Sequence, residues 1–353
     1  MVRALSSAVL TAGIFASSAC HVVPGPRPIF RQDLRPLGFP TASLGRIVGS
    51  FTDISFLSND LLLVTINTRS YGEDNQEPSD LPESKLLLFD IKQRTLRNSV
   101  EMPVEKAKDS VQSVGNGQFF LLNRAGLQPC SIGLECGKPV NARARFYLSP
   151  LGSRIAAGGR LEEKLLDGKT LAELQSFGVN EPRVIPGDTG YLYAQKGKLY
   201  VKLADKPEPQ LVLDGVSTGV WPDARFLDAN TIAALQAEQQ LAITTLEGKV
   251  LFRLPVDAGS YVAEVSTAAS GSRFCFHDAG YTGFSSFLNF FNVEQPFNRE
   301  RVNVREIATG KSHFRLVWDP RPYTGSLSRP ALSPDGHQVA IVRHGFLEVY
   351  EFH

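Results

Sequence analysis

Short apolar runs separated by turn residues recur along almost the whole chain, and most runs alternate with the period of two expected of β-strands. Seven of them follow a compact turn. The turns lie at Ser58-Asn59-Asp60, Gly115-Asn116-Gly117, Pro150-Leu151-Gly152, Gly187-Asp188-Thr189-Gly190, Asp228-Ala229-Asn230, Ala269-Ser270-Gly271 and Pro334-Asp335-Gly336. The strands after them read Leu61 to Ile66, Gln118 to Asn123, Arg154 to Ala157, Tyr191 to Gln195, Thr231 to Gln236, Arg273 to His277 and His337 to Val342. A second hairpin follows in most units, with turns at Ile91-Lys92-Gln93, Asp167-Gly168, Ala204-Asp205-Lys206, Glu247-Gly248 and Thr309-Gly310. Acidic-Gly pairs between alternating runs are strong hairpin signals, because glycine accepts positive φ without a steric penalty. The second unit shows no clear second hairpin.

Two hairpins per unit make a four-stranded blade, and seven units make a ring. The last unit ends at His353 after three strands. Leu44 to Phe51 is the expected fourth, pairing with the last blade so that the two chain ends close the ring and cover open edges. The expectation is therefore all-β: a single seven-bladed β-propeller over 42–353, preceded by an export signal at 1–19 and an extended Pro- and Arg-rich linker at 20–41. Six or eight blades are the near alternatives. A pair of β-sandwiches accounts for the strands but not for the repeated double hairpin.

One unit is written more clearly than the rest. Arg329-Pro330-Ala331-Leu332-Ser333-Pro334-Asp335-Gly336-His337-Gln338-Val339-Ala340 resembles the repeat of WD40-like propellers of the TolB (PD40) type. In the first six units Ser-Pro-Asp-Gly has decayed to Ser-Asn-Asp, Gly-Asn-Gly or Ser-Pro-Leu-Gly, so the resemblance covers the architecture broadly and only 331–342 as a motif. It implies a bacterial envelope propeller that docks a protein partner on one face. Other propellers that look similar are lactonases or cyclases with a metal in the central channel, which gives the competing expectation of a metal-assisted hydrolase or lyase at the channel mouth. No inward acidic cluster for such a metal is recognisable in the sequence, and no cofactor is implied.

Charge narrows the partners. With 37 basic and 36 acidic residues the formal charge is +1, which leaves no electrostatic footprint for nucleic acid. At the N-terminus, Met1-Val2-Arg3, the small apolar stretch Ala4 to Ala16 and Ser17-Ser18-Ala19 read as a signal peptide, too short to span a bilayer. Cys20 directly after Ala19 adds a second reading, a lipoprotein acylated there, although Ser17 stands where such signals usually carry a large aliphatic residue. Nothing later reads as transmembrane. The expected location is the periplasm, the outer-membrane surface or the exterior. Cys130 and Cys136 enclose a short loop and form an expected disulfide, half of a zinc site being the alternative. Cys275, in an alternating run, reads as a buried thiol.

In a propeller the turns joining first to second and third to fourth strands share one face, and the other connections share the opposite rim. Three long insertions fall on that rim: 67–84, 124–142 and 278–300. The first is acidic, with Glu73, Asp74, Glu77, Asp80 and Glu83, but lacks calcium-site spacing. The third carries Tyr281, Phe284, Phe287, Phe290 and Phe291, enough aromatic surface to require packing or a partner. Trp221, Trp318, Arg321 and Tyr323 are assigned to inter-blade connections on the same rim and complete the expected binding set. Catalytic signatures are weak: there is no His-Glu-x-x-His, and His277-Asp278 near Ser285 and Ser286 is proximity in sequence only. No metal ligands are assigned.

Overall fold

Seven antiparallel sheets, six of four strands and one of three, account for every strand among the described residues. They come from a computed structural model that describes residues 25–39, 52–66, 84–102, 110–113, 116–123, 126–140, 145–149, 153–158, 163–177, 183–185, 189–216, 224–236, 240–256, 261–280, 299–320 and 330–353. Six of the sheets are meanders of consecutive strands, the seventh takes its outer strand from the other end of the chain, and together they form a seven-bladed β-propeller. The second strands lie where the periodicity places them, at Leu61–Ile66, Phe119–Asn123, Arg154–Gly158, Gly190–Gln195, Thr231–Gln236, Arg273–Gly280 and Gln338–Arg343.

Both faces of a blade are covered by its neighbours, so a strand's two side-chain sets enter two different cores. Leu61 and Leu63 pack toward blade two, while Leu62, Val64 and Ile66 pack toward blade seven. That is why this strand reads as an unbroken apolar run. Apolar clusters of this kind join six of the seven seams. Among the described residues none joins blades three and four. Blade four instead turns Tyr191, Tyr193 and Tyr200 that way, with Tyr193 and Tyr200 stacked at 5.6 Å between centroids.

The ring is closed by Phe30–Asp33, which pairs with Phe346–Glu351 in the register Phe30 to Val349 and Asp33 to Phe346. This corrects the expectation for 44–51. The strand Phe346–Glu351 has two edges, one taken by Gln338–Arg343 and the other by Phe30–Asp33, so no edge remains for another strand. Residues 44–51 lie outside the described residues. The closing strand falls inside the stretch read as linker, where its Phe30, followed by Leu34 and Phe39, enters the core between blades seven and one. Between them Arg35–Leu37 makes one 3-10 turn ended by Gly38 at φ 108°, a conformation that glycine adopts without strain.

Blade two differs more. Its three strands are Ser110–Ser113, Phe119–Asn123 and Gly126–Cys130, so 124–142 is not a rim insertion. Asn123 sits opposite Gly126, leaving only two residues to turn, and the segment after Cys130 comes back along the third strand. Leu127 and Val140 exchange both backbone hydrogen bonds, at 2.8 and 2.9 Å. The Cys130–Cys136 disulfide clips this return at a Cα separation of 4.1 Å. Among the described residues a covalently fastened loop stands where a fourth strand would, worth about 2 kcal/mol by the entropy of so short a cross-link. Pro129 in the third strand masks its strand character in the sequence, since proline is a poor strand residue.

One face of the ring is stitched by hydrogen bonds. The first turn of most blades closes with the same bond, as in Leu57 N–H to Leu61 O, Leu227 to Thr231 and Ser333 to Gln338. The second turn then bonds to the first: Ile91 N–H to Asp60 O, Leu246 to Asn230 and Ile307 to Ser272. Neighbouring blades are linked as well, by Ser270 N–H to Pro334 O, Asp335 N–H to Asn59 Oδ1 and Gly117 N–H to Leu57 O. The Pro334-Asp335-Gly336 turn lies in the middle of these links. Gly336 has φ 78°, and a Cβ there would meet the Ala268 Cβ at 3.1 Å, so both conformation and space call for glycine.

Candidate functional site on the rim of blade six

The opposite rim is where the second strand of blade six ends at Gly280 and its third begins at Arg299, and where the corresponding strands of blade one end at Ile66 and begin at Ser84. Two of the three expected insertions therefore leave from this rim, as 67–83 and 281–298. Both lie outside the described residues, and 278–280 and 299–300 belong to strands.

Strand alternation sorts the charged residues beneath the rim onto two faces of blade six. His277, Glu300 and Trp318 turn toward blade seven. Glu300 lies diagonal to His277 and directly opposite Trp318 in the register, near enough for long side chains to meet. The His277 Nε2 lies 3.1 Å from a Glu300 carboxylate oxygen, and its ring lies parallel to the Trp318 indole at 6.0 Å. His277 is 1% exposed and Trp318 7%, while the His277 Nδ1 has no hydrogen-bond partner. Trp318 is thus the last residue of the fourth strand, Ser312–Trp318, and not a residue of the connection beyond it.

Asp278, adjacent to His277 in sequence, points to the other face, so the two do not form a dyad. Its carboxylate is fully buried and receives both the Nε and an Nη of Arg301, with an Nη of Arg299 3.6 Å away. Paired, multiply hydrogen-bonded burial of this kind is how a carboxylate is kept charged away from water. Farther along the same face follow Asn303, Arg305 and, from the outer strand, Arg315 opposite Asn303. The guanidinium pKa values of Arg299 and Arg305 are lowered by burial and then by repulsion from Arg301 and Arg315.

Blade seven completes this side of the ring. Glu348, 3% exposed, accepts hydrogen bonds from Arg343 at 2.8 and 3.2 Å and from the Tyr350 hydroxyl at 2.7 Å, and pairs with Arg31 of the closing strand at 3.2 Å. Burial, followed by the hydrogen bond to Glu348, raises the Tyr350 phenol pKa well above its ordinary value. Arg31 also lies over the Phe346 ring at 3.9 Å.

Of the residues expected to bind, Trp318 is brought into this cluster. Tyr281, Phe284, Phe287, Trp221, Arg321 and Tyr323 lie outside the described residues, as do Cys20, Ser285 and Ser286. Cys275 is buried, as its alternation implied. The Glu348, Arg343 and Tyr350 cluster and the arginine row were missed, because a strand of alternating charge and valine reads as one wet and one dry face. Among the described residues no group of three or more His, Cys, Asp or Glu side chains is placed to hold a metal, and no helix is long and apolar enough to cross a membrane.

The fold and this rim define a class, the seven-bladed β-propellers. No family model and no curated protein matches the chain.

Proposed function

We propose that this chain is an exported, non-catalytic β-propeller of the WD40-like (TolB) kind that binds a protein or cell-envelope partner on the rim bearing 67–83 and 281–298. The asymmetry of the two faces supports this reading best. One is occupied by short turns whose backbone groups bond to each other from blade to blade; the other carries the long connections, and long connections on a rigid scaffold are where recognition concentrates. Tyr281, Phe284 and Phe287 would supply the apolar contact, with Trp221, Arg321 and Tyr323 beside them. Export is supported by the Cys130–Cys136 disulfide, a bond typical of oxidising compartments. The signal sequence at 1–19 and lipid attachment at Cys20 belong to the same proposal.

Replacing 281–298 by a short Gly-Ser linker between Gly280 and Arg299 tests the reading. The variant is expected to keep its melting temperature within a few degrees and to lose at least tenfold in recovery of envelope partners from matched extracts. Recovery equal to that of the parent protein would overturn it.

A further inference from the structure

The face of blade six turned toward blade five carries more hydrogen-bond donors than it satisfies. Arg299, Arg301, Asn303 and Arg305 occupy alternate positions of one strand, and Arg315 joins them opposite Asn303. The row spans about 20 Å at the usual rise per strand residue. Among the described residues the carboxylate contacting it is Asp278, which Arg301 and Arg299 already engage. Arg305 and Arg315 pair with no carboxylate among the described residues, so the inner part of the row keeps its positive charge.

The middle of the row is the informative part. Asn303 is 2% exposed, and its Nδ2 donor has no partner. Two residues on, Arg305 is held by its Nη1 hydrogen bond to Gly310 O at 2.6 Å, while its Nε is buried without an acceptor. Among the described residues neither donor has an acceptor, and the cross-strand neighbours are aromatic. Phe274 and Phe276 lie opposite Arg305 and Asn303, and Phe252 of blade five packs within 3.0 Å of where a Gly310 Cβ would stand. Buried donors left unpaired beside excess positive charge ask for an acceptor that is itself negative.

We propose that Asn303, Arg305 and Arg315 form a binding site for a phosphate- or sulfate-type oxyanion, either free or carried on a larger anionic molecule. A tetrahedral oxyanion presents several acceptor oxygens at once and so can satisfy more than one of these donors. The repulsion that Arg301 and Arg315 exert on Arg299 and Arg305 would be relieved by the bound charge. The site is independent of whether the rim insertions dock a protein.

Thermal unfolding and calorimetry in phosphate-free buffer, with inorganic phosphate titrated against chloride at matched ionic strength, decide the matter. The full chain is expected to show saturable binding of phosphate and a rise in melting temperature that chloride does not give. Arg315→Gln, on the exposed outer strand, should weaken binding at least tenfold with the apo melting temperature unchanged. Asn303→Leu should abolish the response while leaving the apo protein equally or more stable, since it removes a donor that nothing satisfies. Should Asn303→Leu fail to fold, Arg315→Gln decides alone. Tripolyphosphate that binds far more tightly than phosphate would point to a ligand bearing the group on a chain; equal affinity would point to the free ion. A phosphate response no larger than that of chloride, or one kept in full by both variants, would overturn the assignment.

Discussion

A chain beginning at residue 40 is expected to lose its cooperative thermal transition, whereas one beginning at residue 25 should keep it. Removing 25–39 strips the outer strand from blade seven and exposes the edge of Phe346–Glu351. It also takes Phe30, Leu34 and Phe39 from the core between blades seven and one, where each is no more than 3% exposed. Truncating one such side chain costs about 2–5 kcal/mol, so losing three costs on the order of 10 kcal/mol, comparable with the whole ~5–15 kcal/mol stability of a typical domain. The bare edge would in addition invite association. Circular dichroism melts of both chains give the comparison, and a synthetic 25–39 peptide added in trans should restore part of the transition, as strand addition does elsewhere. If residues 44–51 supplied the closing strand, the shorter chain would melt like the longer one.

The second large effect is expected at Glu348. Its carboxylate is the common acceptor for Arg343, Tyr350 and Arg31, which joins the closing strand to the last two strands of blade seven. Glu348→Ala leaves a half-buried guanidinium and a buried hydroxyl without their acceptor. Breaking a buried pair from one side costs about 3–5 kcal/mol, because the remaining charge has been taken out of water with nothing to balance it. Glu348→Gln keeps the shape and one acceptor oxygen and should fall between the parent and the alanine variant. Urea unfolding should show the midpoint dropping in that order with an unchanged slope. A Glu348→Ala midpoint equal to that of the parent would mean that the cluster adds nothing to closure.

These residues also mark where sequence reading stopped. Strands buried on both faces, such as Leu61–Ile66 and Thr231–Gln236, were legible because apolar runs between Gly- and Asp-containing turns have few other solutions. Phe30–Asp33 was not, since Phe-Arg-Gln-Asp is short and polar and takes its meaning from the edge that receives it. Gly126–Cys130 was hidden by Pro129 and by a two-residue connection. At the site, the position of His277 near the rim was legible, but its partner was not: the neighbour in sequence, Asp278, faces away, and Glu300, which meets it, is brought there by register alone. The donors of Asn303 and Arg305 could not have been seen as unpaired without the face they share with Phe274 and Phe276.

Binding on one rim requires the two faces of the ring to be unequal, and site-specific photo-crosslinking measures that inequality. A photoreactive residue placed at Phe284 or Phe287 should cross-link a partner in envelope extracts, and one placed at Asn116 or Asp228, in the stitched turns, should not. Cross-links from Asn116 and Asp228 with none from Phe284 and Phe287 would contradict the assignment of the partner to the rim of blade six.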